Sequence, residues 1–111
     1  MKEPTDDILD QMVDIIVRAV DPERIILFGS RARGEARPDS DVDILIVDSR
    51  SFDETINQAT LLGNLWNLLR HFRLAVDLLL FSPEEVQKWK DSRYHIIGTV
   101  LREGRVLYER P

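Results

Sequence analysis

Residues 25–47 read IILFGSRARGEARPDSDVDILIV, and the fold depends on how this stretch divides. An apolar run leads into a Gly-Ser turn rich in arginine, and a second apolar run carries two aspartates, Asp41 and Asp43, at its start. Successive side chains of a strand point to opposite faces, so residues two apart share a face with Cα atoms roughly 6.5 Å apart. The two carboxylates can therefore converge. At that separation and an effective dielectric of ~20 their repulsion is about 2.5 kcal/mol, an avoidable cost beside Ile44-Leu45-Ile46-Val47. A divalent cation would turn the repulsion into ligation, since Mg²⁺ takes oxygen ligands from one or two carboxylates and from substrate phosphates. The plainer alternative is a polar turn of Asp39, Ser40 and Asp41 followed by a solvated Asp43.

The turn upstream favours the first reading. Gly29 and Ser30 follow a strand-like run, Arg24 to Phe28. Arg31 and Arg33 add two cations, and Gly34 can end a single helical turn. Backbone N–H groups, a hydroxyl and two guanidinium groups together suit phosphate oxygens.

Working outward, Thr5 is placed to cap a first helix that runs to about Val20, where Asp21-Pro22 stops it. Its stripe of Ile8, Leu9, Met12, Val13, Ile16 and Val20 is that of a packing helix. Val42 to Val47 is the second strand. The pattern Ser51-Phe52-Asp53-Glu54 reads as a capping box opening a long helix to near Arg70. That helix carries Ile56, Leu61, Leu62, Leu65, Trp66, Leu68, Leu69 and then Phe72, a wider apolar arc than one sheet face needs. Leu74 to Phe81 reads as a third strand interrupted by Asp77. A buried, unpaired carboxylate costs several kcal/mol or takes up a proton, so a nearby cation is expected, either a metal or Arg31 or Arg73 in a salt bridge. Ser82-Pro83-Glu84-Glu85 is a second capping box with proline at the first helical position, leading a short helix through Val86 to Lys90. A last helix spans about Ser92 to Arg102, stopped by Gly104, and Arg105 to Glu109 forms a brief strand. Trp89, Tyr94 and Tyr108 read as packing or rim residues.

With 111 residues the chain reads as one domain, residues 1–111. It contains no cysteine, which excludes disulfides, thiolate metal sites and cysteine nucleophiles. Two isolated histidines, His71 and His95, argue against zinc. No apolar stretch is long enough for a membrane span and MKEPTDDILDQ has no signal-peptide core, so a soluble cytoplasmic protein is expected. A net charge of −5 argues against binding long nucleic acid, while a mononucleotide held through metal stays compatible.

Gly29-Ser30, ten intervening residues and then Asp41-Val42-Asp43, set in GSRARG and SDVDILIV, resemble the signature of the minimal nucleotidyltransferases of the DNA polymerase β-like nucleotidyltransferase superfamily. The resemblance implies an α/β fold (α+β in layer terms), a small mixed sheet packed with helices in two or three layers. It implies that Asp41, Asp43 and Asp77, the match to the family's third carboxylate, meet at one edge of the sheet. There they would hold two Mg²⁺ ions and act on ATP. Gly29 and Ser30 would hold the β- and γ-phosphates, Arg31 or Arg33 would neutralise the departing pyrophosphate, and Ser40 joins the nucleotide-binding set. Minimal nucleotidyltransferases are typically antitoxins paired with a helical HEPN ribonuclease toxin, onto a tyrosine of which they transfer AMP. The resemblance thus implies a hetero-oligomer with a HEPN toxin and protein adenylylation as the activity. Two alternatives remain open at this point: an antitoxin that acts by steric binding without catalysis, and a small-molecule nucleotidyltransferase.

Overall fold

The computed structural model describes residues 4–37, 40–48 and 58–111. The first helix, α1, runs Pro4–Val20 and ends where Asp21 turns left-handed, φ 50°, ahead of Pro22. Its start differs from expectation. Thr5 lies inside the helix and not at its cap, because Pro4, whose fixed φ suits a first helical turn, already belongs to it. Strand β1 (Arg24–Phe28) leads into a four-residue helix, α2 (Gly29–Ala32), and strand β2 spans Val42–Val47. The short helix closes with Gly34 at φ 73° and a hydrogen bond from Glu35 N to Ser30 O of 2.9 Å, the wrap expected of a glycine stop.

Helix α3 is described over Gln58–Leu69, and a 3-10 turn, Arg70–Phe72, follows it. The capping box at Ser51-Phe52-Asp53-Glu54 and the apolar Ile56 lie outside the described residues, as does Asp39. Strand β3 begins at Val76, two residues later than expected, because Arg73 adopts a left-handed φ of 57° to leave the 3-10 turn. Helix α4 (Pro83–Trp89) has both bonds of its capping box, Glu85 N to Ser82 Oγ and Ser82 N to Glu85 Oε1, each 3.1 Å. Helix α5 (Ile96–Glu103) starts later than Ser92: Ser92 Oγ instead accepts from the backbone of Tyr94 and His95, and His95 Nδ1 accepts from Ile97 N at 3.1 Å as the cap. Strand β4 (Arg105–Glu109) completes the sheet.

The four strands are ordered β3-β2-β1-β4. Strand β1 lies antiparallel to both β2 and β4, and β2 lies parallel to β3, a pairing that requires a crossover such as the one through α3. Both faces of the sheet are covered. Ile25, Leu27, Ile44, Ile46, Leu78 and Leu80 pack against Met12, Ile16, Leu65 and Leu69 of α1 and α3. On the other face Ile26, Leu45 and Val47 meet Val86, Ile97 and Val100 of α4 and α5. The layers are therefore three, which explains the near-continuous apolar run of β2: a strand buried on both sides has no solvated face. Part of the apolar arc of α3 stays outside this core, with Trp66 46% and Leu68 48% exposed. Among the described residues no helix is long and apolar enough to cross a membrane.

Candidate active site

Strand register builds the site. Asp43 lies opposite Phe28 of β1 on one side and opposite Asp77 of β3 on the other, so the end of β1 and the starts of β2 and β3 meet at one edge of the sheet. Period two then places Asp43 and Asp77 on the face of Leu45 and Leu79, towards α5.

Gly29, the residue after Phe28, has φ 74°, and a Cβ built on it would overlap Oδ2 of Asp43. Only glycine satisfies both the left-handed backbone and the close approach of the carboxylate. Gly29 and Asp43 are thus a matched pair.

Asp43 holds a proton more tightly than an ordinary carboxylate. Burial is the main cause, followed by a hydrogen bond with Asp77 and the charges of Asp77 and Asp41, while the Arg33 guanidinium opposes them. The side chains of Asp43 and Asp77 are within hydrogen-bonding reach of each other, which adds to the raised proton affinity of Asp43. Asp41 stands just before β2, exposed, and its charge reaches Asp43. Among the described residues no three His, Cys, Asp or Glu side chains enclose an ion by themselves. Two carboxylates converge and a third lies close by.

One premise about Asp77 needs correction. It was expected to be buried, yet it is exposed, because β3 is an edge strand and Asp77 is its second residue. Its partner is a carboxylate, not Arg31 or Arg73 in a buried salt bridge. The reason for its position lies in the register opposite Asp43.

The two arginines of the turn have different tasks. Arg31 donates from Nη2 (2.6 Å) and Nε (3.2 Å) to the carbonyl of Ser40, bracing the loop that leads to Asp41. Ser40 Oγ in turn accepts from Arg37 N at 2.8 Å, a bond within its own loop. Arg33 is the arginine whose charge acts on Asp43, and it also pairs with Glu35 at 3.2 Å and Glu103 at 3.8 Å. Ser30 is half-buried on α2 beside Gly29. Sequence reasoning missed Glu103, since nothing local to α5 indicates that its last turn abuts the arginine turn. It also missed Asp48, fully buried just past β2, whose backbone N–H donates to Phe81 O at 3.0 Å.

One surface groove of about 580 Å³ is lined by Pro83, Glu84, Gln87 and Lys88, and another of about 300 Å³ by Glu23, Arg24, Glu109, Arg110 and Pro111. With Asp41 and Asp77 exposed, the candidate site is an open edge.

Comparison with known proteins agrees with this geometry. Residues 9–107 match the nucleotidyltransferase domain. A protein of Methanocaldococcus jannaschii provisionally named a protein adenylyltransferase is 40% identical over 86 residues, spanning 78% of this chain and 78% of its own length. A structure from Sulfolobus solfataricus, provisionally named a nucleotidyltransferase, has a TM-score of 0.61 at 19% identity, covering 94% of this chain and 79% of that one. A toxin–antitoxin solved with AMP-PNP has a TM-score of 0.57 at 20% identity, covering 91% and 73%. At such identities the structures attest the fold, and the sequence match attests the family. The paired carboxylates, the glycine that Asp43 presses against and the match over nearly the whole length agree: this chain belongs to the nucleotidyltransferase domain family and has its fold.

Proposed function

We propose that this chain is an antitoxin that transfers AMP from ATP to a tyrosine of a cognate HEPN toxin and so neutralises it. The observation that carries the proposal is the register that sets Asp43 against Asp77 beneath Gly29, an arrangement with no structural use and a clear chemical one. The motif's resemblance to minimal nucleotidyltransferases, a relative named for protein adenylylation and a fold neighbour in a toxin–antitoxin with AMP-PNP support the choice of donor and acceptor.

The donor set fits Mg²⁺. It consists of carboxylate oxygens alone, and the proton affinity of Asp43, raised first by burial and then by Asp77 and Asp41, reflects negative charge that a hard cation would relieve. Asp41, Asp43 and Asp77 would hold the metal, two ions in this reading, with nucleotide phosphates and water completing the ligand set. When bound, the metal stabilises the attacking and leaving oxygens of an in-line displacement.

The remaining work belongs to the chain. Ser30 and the backbone of Gly29 and Ser30 hold the β- and γ-phosphates, leaving the α-phosphorus at the carboxylate edge. Asp77 takes the proton from the tyrosine hydroxyl as its oxygen bonds to the α-phosphorus, and the bond to the β-phosphate oxygen breaks. Pyrophosphate departs with the electron pair, and Arg33 offsets its charge. Because the site is an open edge, orientation of the acceptor falls to the surface of the partner, and orientation supplies much of the rate in phosphoryl transfer.

Intact-mass spectrometry of the chain and its toxin with ATP and Mg²⁺ tests the proposal. AMP increments on the toxin, mapping to a tyrosine, are expected. A toxin that is inhibited yet unmodified would replace catalysis with steric neutralisation.

A further inference from the structure

Arg33 lies between two sets of acids. On one side is Asp43 of the candidate site, which feels the Arg33 charge; on the other are Glu35 Oε2 at 3.2 Å and Glu103 Oε2 at 3.8 Å. Glu35 is two residues away, so that contact is local to the turn. Glu103 comes from the last turn of α5, and the fold takes particular care to bring it there. A Cβ on Gly104 would lie 2.6 Å from Ile26 Cγ2 and 3.0 Å from Leu27 O, and would overlap the carbonyl of Val100. The end of α5 therefore rests directly on the last residues of β1, where no larger side chain fits, and β1 is the strand that delivers Gly29. At the start of α5, Arg102 Nη1 donates to Ser92 O at 3.0 Å and Gly98 sits against the same carbonyl, so the helix is braced along its length.

We infer that Glu103 is a positioning residue: it holds the Arg33 guanidinium outward from the carboxylates, in the orientation in which Arg33 meets the triphosphate of the nucleotide. The inference rests on the ATP reading above. Its physical basis is competition. Glu35 holds the Nε edge from within the turn, whereas Glu103 faces Nη1; without Glu103 the Nη1 end is drawn towards Asp43, and a guanidinium end settled there would take the place of the cation the carboxylates are to bind. An arginine already fixed also loses less rotamer freedom when phosphate arrives. The pair is half-exposed, with side chains 42% and 50% accessible, so it contributes little to stability and acts on orientation.

The test is a double-mutant cycle of Glu103→Gln and Arg33→Ala, read by binding of AMP-PNP with Mg²⁺ and by KM and kcat for transfer from ATP. Glu103→Gln is expected to weaken AMP-PNP binding about threefold to fivefold, the range of a partly exposed ion pair, and to lower kcat/KM for transfer at least as much, with melting temperature little changed. In the Arg33→Ala background the same substitution should have no further effect. Unchanged affinity in Glu103→Gln, or a loss that persists without Arg33, overturns the positioning role while leaving the ATP reading intact. A wild-type chain that takes up no AMP-PNP overturns the ATP reading, and this inference with it.

Discussion

The two ends of the parallel pair β2 and β3 differ in kind. At the start, Asp43 faces Asp77, burial and the neighbouring carboxylates raise the proton affinity of Asp43, and Gly29 holds a left-handed conformation against Asp43. At the far end Val47 faces Phe81, Ser82 caps α4 through two hydrogen bonds, and Trp89 stacks on His95 at 4.5 Å and 9°. Phe81 meets the same histidine edge-on at 5.9 Å. One end of the ladder gathers unfavourable charge and the other gathers packing and caps. The difference teaches that the fold's stability is concentrated away from its chemistry, so the reactive edge can keep a destabilising arrangement that a ligand relieves.

The largest expected effect removes the charged end. Asp41→Asn with Asp43→Asn should lower AMP transfer about 10³-fold or more, the scale of losing electrostatic stabilisation at a reacting centre, while the folded state persists. Circular dichroism beside a transfer assay checks this; undiminished transfer by the folded double variant would remove these residues from the site. Asp77→Asn comes next. It should lower turnover about 10²-fold, the scale of a general base, with AMP-PNP affinity nearly kept because Asp41 and Asp43 remain. Weaker nucleotide binding at equal turnover would instead place Asp77 on the nucleotide.

The opposite end should respond in the opposite way. Trp89→Ala removes a half-buried ring from the stack with His95, and should cost about 2 kcal/mol of stability, less than a fully buried tryptophan, as measured by urea unfolding. Turnover per folded molecule should not change. A loss of turnover in folded protein would show that the two ends are coupled.

The smallest effect has an unusual sign. Folding raises the proton affinity of Asp43, so the native state binds that proton more tightly than the unfolded chain does. Stability from this source is present below the ordinary carboxylate range and is lost as pH rises through the raised value. Asp43→Asn should therefore stabilise the metal-free chain at neutral pH, by ~0.5 kcal/mol after allowance for partial exposure, or about 3 °C in melting temperature. Thermal melts of both proteins across acid and neutral pH check this. The gain should vanish at the acid end, and an Asp43→Asn variant less stable at every pH would mean that the carboxylate is held by favourable contacts.

Much of this was legible in local sequence, because its causes are local. The near-continuous apolar runs of β1 and β2, the Gly34 stop, the Ser82 capping box with Pro83, and the spacing from Gly29-Ser30 to Asp41 and Asp43 all act within a few residues of chain. The family follows from them. Tertiary structure alone decided whatever depends on which segments become neighbours. An apolar run does not reveal whether its strand is central or at an edge, so LAVDLLLF suggested a buried Asp77 where the sheet order leaves it exposed. Two arginines two residues apart look equivalent until the loop closes and gives Arg31 the carbonyl of Ser40, leaving Arg33 to act on Asp43. Glu103, distant in sequence from Arg33, reaches it only because Gly104 lets α5 rest on β1. Pairing across the chain is a property of register and packing, and no window of sequence contains both partners.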